Sequence, residues 1–240
     1  ARVVDTGNLK FDVPVPPGLE ATARALRAAA GARPAWIAAS THEDEEGHVL
    51  SIHRRLRERH PGLLLVWAPR HPERFRHAAQ LARSAGLSVG TRSRAGMPRG
   101  EDDVFVLDTL GELMAFYAMS DVAFVGGSLQ PVGGHNLLEP AAAGTPMVTG
   151  PHLHNFSEIA RRLDEAGALR IGADADGVAA HLDALLSDPA ARTRMADAGR
   201  ALVATGRGAV ARTMALVMPV LPSPDAAHAA RRTGEHPVLP

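Results

Sequence analysis

Four short apolar runs of β-branched or aromatic character, at 36–39, 63–67, 104–107 and 122–125, punctuate the chain at strand length. Between and beyond them, apolar residues recur with helical period and predict helices over 18–30, 43–60, 72–85, 111–119, 136–143, 156–166, 175–187 and 190–205. Weaker strands are expected at 87–91, 146–148 and 168–171. Alternation of the two periods predicts parallel βαβ units, hence an α/β fold: a Rossmann-like open parallel sheet with helices on both faces. Gly and Pro fall between the elements, at 31–34, 60–62, Gly86 and 144–146, where helices stop and strands begin. In such a sheet, ligands bind outside the carboxyl ends of the strands, so chemistry is expected in the loops that follow them.

Composition narrows the classes. Lys plus Arg and Asp plus Glu each total 26, so no net field draws the chain onto nucleic acid or an anionic membrane, and any basic site must be local. Cysteine is absent, which excludes disulfides, thiolate nucleophiles and Cys-based zinc sites. Twelve histidines show no HExxH or similar ligand spacing, so neither a metal nor a cofactor is expected. No run of about 18 apolar residues suggests a membrane span. The opening residues read like mid-domain sequence, which predicts a piece of a longer chain. One nucleotide-binding domain is expected over 1–218, followed by a Pro-rich, disordered tail over 219–240. A polar, Arg-rich, mobile loop is expected over 90–103.

Four constellations follow predicted strands. The strongest is Gly126-Gly127-Ser128-Leu129, then Gly133-Gly134-His135-Asn136, then Leu138-Glu139-Pro140. Glycines allow close backbone approach and a helix N-terminus favours an anion, which points to a phosphate; a tight turn without ligand explains the same glycines. Asn136 can cap the following helix, while Glu139 either closes a capping box or accepts hydrogen bonds from a sugar diol. His135 reads as a surface or capping residue or as a site histidine. After the first strand, Ser40 or Thr41 would cap a helix whose start, 43–46, reads as a solvated acidic turn; Ser40, Thr41 and His42 also face the expected cleft. Arg70 can clamp a phosphate or carboxylate, whereas Arg74 reads as a surface residue. Asp108 or Thr109 would cap the helix carrying Phe116 and Tyr117, themselves expected in the core.

Taken together, Gly7-Asn8-Leu9-Lys10-Phe11-Asp12, the stretches 39–46, 69–75, 108–113 and 126–140, Gly150-Pro151-His152 and Asn155-Phe156 resemble a known family. It comprises the bacterial transferases that move Kdo (3-deoxy-D-manno-octulosonic acid) from CMP-Kdo to lipid A. The resemblance runs in order from about residue 3 to 205. It implies a GT-B architecture of two Rossmann-like domains, of which this chain is the C-terminal, donor-binding half. It further implies an inverting, metal-independent glycosyltransferase of lipopolysaccharide biosynthesis on the cytoplasmic face of the inner membrane. The lipid A precursor and the general base would belong to an N-terminal half outside this chain, which alone would be inactive. Carried onto this sequence, Gly126, Gly127, Ser128, Gly133, Gly134, His135 and Asn136 would surround phosphate and sugar. Glu139 would hold the ribose, and Arg70 with Ser40, His42 and Lys10 would lie near the anionic donor. The alternatives are a GT-B donor domain for a UDP-sugar and a non-catalytic nucleotide-binding domain.

Overall fold

The computed structural model describes residues 3–221. They form two compact units, one spanning Val13–Thr205 and a smaller one made of the residues up to Asp12 together with those from Gly206 onward. In the larger unit, α1 (Leu19–Ala29) precedes β1 (Ala35–Thr41), α2 (Glu43–Arg59) and β2 (Leu64–Pro69). A 3-10 turn, Pro72–Arg74, runs into α3 (Phe75–Ser84), followed by β3 (Val89–Thr91), α4 (Arg92–Ala95) and β4 (Val104–Val106). Then come α5 (Leu113–Met119), β5 (Val122–Val125), α6 (Leu138–Ala143), β6 (Met147–Thr149), α7 (Ser157–Glu165), β7 (Leu169–Ile171), α8 (Ala175–Ser187) and α9 (Pro189–Gly206).

The seven strands form one sheet in the order β3-β4-β2-β1-β5-β6-β7, every pair parallel. The apolar runs become strands because helices cover both faces of the sheet. Trp36, Ile37, Ala38 and Ala39 of β1 are all fully buried, as are Leu64, Leu65, Val66 and Trp67 of β2. One core packs Trp36, Leu65, Trp67, Val104 and Phe124 of the sheet against Val49, Ile52 and Leu56 of α2 and Val178 and Leu182 of α8. Each such aliphatic or aromatic side chain contributes roughly 1.5–3 kcal/mol by leaving water. The strand order reverses between β1 and β5, so the crevice of this doubly wound sheet opens at the carboxyl ends of those two strands.

All the expected strands are present, and Phe116 and Tyr117 are buried as expected. Four local expectations change. Pro72 starts a 3-10 turn, and the α-helix begins only at Phe75. Within 90–103 the chain is tied down: Arg92 pairs with Glu112, the Ser93 N–H donates to Asp108 at 2.7 Å, and Arg33 donates to the Arg99 carbonyl at 3.0 Å. Asp108 and Thr109 do not cap α5, whose N-cap position is Glu112; Asp108 is engaged by Ser93, and the Thr109 hydroxyl donates to Glu112. Finally, the expected end of helix at 205 is followed by α10 (Ala209–Val217) and a 3-10 turn, Met218–Val220.

In the smaller unit, the Asp12 carboxylate accepts from the N–H groups of Gly208 (2.6 Å) and Val210 (2.7 Å) at the start of α10. Those two bonds hold the Asp12 carboxyl below its ordinary range. Arg212 donates to the Thr6 carbonyl at 3.0 Å. The helical stretch Pro189–Val220 contains a window of mean hydropathy 1.2, apolar enough by composition alone for a membrane span, which the apolar runs of the sequence did not suggest. Arg207 and Gly208, the latter at φ +89°, interrupt it, so it is not one helix. Of the tail expected over 219–240, the part from 222 onward lies outside the described residues.

Candidate functional site

The site is built where β1 and β5 end. At the tip of β1 the register with β2 slips between Ala39 and Thr41, and Ser40 takes the left-handed backbone, φ +55°. A non-glycine residue there costs roughly 1–3 kcal/mol, a cost met only where surrounding structure imposes it. Thr41 does not cap α2; its hydroxyl is buried and accepts from the Trp67 indole N–H at 2.9 Å. The N-cap of α2 is His42.

Three residues into α2, Glu45 overturns the expectation of a solvated acidic turn. Its side chain is fully buried and reaches back to the His42 N–H at 3.0 Å. It also accepts from the N–H groups of Gly127 (2.7 Å), Ser128 (3.0 Å) and Leu129 (2.9 Å). One carboxylate therefore occupies the donors that glycine spacing suggested for a phosphate. Gly126 is glycine because the tip of β1 and this carboxylate both pass so close: a Cβ would lie 2.8 Å from the Ser40 carbonyl oxygen and the Thr41 Cα and 2.7 Å from the Glu45 Oε2. The Ser128 side chain is likewise committed, with no exposed surface. Its hydroxyl donates to the Val125 carbonyl at 2.7 Å and accepts from the Gly150 N–H at 2.9 Å. Gly127 and Ser128 are thus wall and scaffold, and the phosphate-cradling geometry expected of them is absent.

The rest of the glycine loop folds back on itself. Gly134 donates to the Gly127 carbonyl at 2.7 Å, and Asn155 donates to the Gly133 carbonyl at 3.0 Å through its backbone and to the Val132 carbonyl at 3.0 Å through its side chain. Gly133 and Gly134 are buried. The 150–155 motif is therefore a brace under the loop.

What this scaffold presents is a cleft of about 710 Å³ lined by Ser40, Arg70, His135, Asn136 and Glu139, with Phe75, Thr109, Leu110, Met114 and Tyr117 around them. Asn136 accepts from the Leu138 N–H at 3.0 Å and donates to Glu139 at 3.1 Å. Asn136 does not cap α6, whose N-cap is Leu137, and no capping box closes: Glu139 accepts from the Asn136 side-chain amide rather than from a backbone N–H, and it lines the cleft. The His135 and His42 rings are parallel to within 4°, their centroids 5.1 Å apart and their Nε2 atoms 2.8 Å apart. Coplanar rings joined tip to tip by an N–H···N bond have this separation; face-to-face rings with such a short N···N contact do not. His71 meets His42 edge-on at 5.3 Å. Burial pushes His135 down to about 4, with His42 and Arg70 adding to the effect; burial also lowers His42, against the opposing charge of Glu45.

Arg70 is exposed at the end of β2, its N–H donating to the Thr41 carbonyl at 3.0 Å. Arg74 is no mere surface residue. It donates to the buried Glu46 at 3.0 and 2.7 Å and pairs with Glu43 at 3.0 Å, anchoring the Arg70 loop to α2. That bond to Glu46 raises the Arg74 pKa. Lys10 belongs to the smaller unit, exposed on its 3-10 turn Leu9–Phe11. Among the described residues, no group of three or more His, Asp or Glu is placed to hold a metal.

Comparison with known proteins gives the family and the fold. Residues 33–202 match the family described as glycosyl transferases group 1. The chain is 42% identical over 218 residues to the 3-deoxy-D-manno-octulosonic acid transferase of Haemophilus influenzae, covering 90% of this chain and 51% of that protein. It is 44% identical to the enzyme of the same name from Bordetella pertussis, covering 87% and 50% respectively. The chain thus spans about half the length of these relatives. The crystal structure of the C-terminal CMP-Kdo binding domain of WaaA from Acinetobacter baumannii superimposes with a TM-score of 0.72 at 32% identity, covering 78% of this chain and 98% of that one. This chain belongs to the group 1 glycosyl transferases and, within them, to the 3-deoxy-D-manno-octulosonic acid transferase family, as a Rossmann-like C-terminal half of the GT-B architecture.

Proposed function

We propose that this chain is the donor half of a Kdo transferase, holding CMP-Kdo in the cleft at the ends of β1, β2 and β5. The observation that carries the reading is the convergence of Arg70, His135, Asn136 and Glu139 on one cleft in a chain so similar to a CMP-Kdo binding domain. CMP-Kdo carries a phosphate and a carboxylate. Arg70 supplies a fixed positive charge at that wall, and the imidazoles supply hydrogen-bond donors. Glu139, steadied by Asn136, accepts from the ribose hydroxyls.

In the reaction that follows from this reading, a hydroxyl of the lipid A precursor attacks the anomeric carbon of Kdo, and the bond to the phosphate oxygen of CMP breaks. Negative charge grows on the departing phosphate, and fixed donors at Arg70 and His135 stabilise it without reorganising. The proton of the attacking hydroxyl goes to a base supplied by an N-terminal half outside this chain. That half also carries the acceptor and the association with the cytoplasmic face of the inner membrane. Calorimetric titration of this chain with CMP, UMP and UDP in metal-free buffer tests the reading. Preferential binding of CMP is the expected result, whereas preference for a uridine nucleotide, or no binding of any of the three, overturns it.

A further inference from the structure

The His42–His135 contact has a proton count built into it. Two imidazoles joined Nε2 to Nε2 at 2.8 Å need one N–H and one lone pair between them. When both rings are neutral, one of the two Nδ1 atoms carries a hydrogen and the other a lone pair. One added proton fits on that remaining Nδ1 without disturbing the bond between the rings. A second would have to occupy the accepting Nε2 and would separate them.

The surroundings decide when the single proton is held. Arg70 and His71, from the end of β2 and the turn after it, and Glu45 and Asp44, from α2, are the charged and titratable groups facing the pair. Glu45 is spent on four backbone N–H groups, including that of His42 itself. Arg70 repels a proton from both rings, and burial does the same, so the empty pair is neutral near pH 7. An anion placed against Arg70 cancels that repulsion and adds an attraction of its own. The site also reserves space for the pair: Gly127 packs beneath it, where a Cβ would lie 2.8 Å from the His135 ring and 3.5 Å from His42.

We propose that His42 and His135 act as a one-proton unit that takes a proton from solvent when an anionic ligand binds beside Arg70, presenting N–H donors to it. The proposal rests on the donor-cleft reading above. Its sign follows from linkage: the ligand raises the affinity of the pair for its proton, so binding weakens as pH rises through the value of the occupied site. Where one proton is taken up, affinity falls by at most about tenfold per pH unit.

The test is calorimetric titration of this chain with the methyl ester of CMP, whose phosphodiester carries a single charge that does not titrate in this range. Two buffers of different ionisation enthalpy, used between about pH 5 and pH 8, yield the number of protons taken up. The expected result is uptake approaching one proton at the acid end and vanishing at the alkaline end. His135→Asn and His42→Gln should weaken binding and abolish the uptake that accompanies what remains of it, and His71→Gln should keep it. Imidazole NMR titration of the native chain, with and without the ester, gives the same answer without substitutions: both rings should titrate together, at higher pH when occupied. Binding by the native chain without proton uptake, uptake that survives in both His135→Asn and His42→Gln, or uptake lost in His71→Gln each overturns the one-proton unit and leaves the donor reading standing. No binding of the ester or of CMP at any pH overturns the donor reading itself, and the proposal with it.

Discussion

The loop after β5 and the loop after β2 both reach the cleft, yet they use their polar groups in opposite ways. In the first, Glu45 holds the N–H groups of Gly127, Ser128 and Leu129, and the Ser128 hydroxyl bridges Val125 and Gly150. Its motif residues are consumed in building a wall. In the second, the Arg74 side chain is spent, on Glu46 and Glu43, while the Arg70 side chain stays exposed. A glycine-rich signature next to a nucleotide cleft is therefore no guarantee of contact with the phosphate. Here the wall is scaffold, and the side chains proposed to bear the chemistry stand beside it.

The wall breaks most readily at Glu45. Glu45→Ala leaves four N–H groups without their acceptor, three of them on the buried loop, and should lower stability by about 3–5 kcal/mol in urea unfolding. A loss below about 1 kcal/mol would mean that water replaces the carboxylate and that the wall is not built as described. Gly127→Ala should come next, at about 2–3 kcal/mol, because φ is +65° and the new Cβ would press on His135. It should also perturb the His42–His135 contact, visible in imidazole NMR. Arg74→Ala should cost about 2 kcal/mol by stranding Glu46, and should weaken CMP binding without touching the ligand. Unchanged affinity there would detach the anchor from the Arg70 loop. The smallest effects on stability, within about 0.5 kcal/mol, belong to Arg70→Ala, with a little more for Glu139→Ala. Both should show instead in binding. Arg70→Ala should reduce affinity for CMP more than for cytidine, and equal loss for both removes the anion clamp. Glu139→Ala should weaken both ligands alike, and unaltered affinity confines Glu139 to its bond with Asn136.

The fold was legible because the central strands are buried on both faces, which writes continuous apolar runs such as 36–39 and 63–67 into the sequence. Arg70, His135, Asn136 and Glu139 were legible as cleft residues because they sit where strands end, at a topological switch point. Glu45 was not, since an acidic run at a helix start has the same pattern whether it faces solvent or is folded under a neighbouring loop. Only the glycine pair Gly126-Gly127, remote in sequence, could have hinted that a carboxylate needed room there. Ser128 was misread for a related reason: a hydroxyl in a glycine loop serves a ligand or a backbone brace equally well. α10 went unseen because Arg207 and Gly208 look like the end of a helix rather than the gap between two.

The two tryptophans give the larger unit its own optical readouts. The Trp67 indole N–H is bonded to Thr41, under the residues that open the cleft, whereas the Trp36 indole donates to His53 Nδ1 at 3.1 Å. Burial drives His53 down to about 4, so it stays neutral until strong acid. Its protonation removes the lone pair that Trp36 uses and sets a quenching cation against the indole. Trp36 emission therefore reports the charge state of His53 within the buried sheet face, while Trp67, equally buried, is tied by its bond to Thr41 at the end of β1. A single unlabelled chain thus carries, inside its core, an indole that senses the protonation of its neighbour.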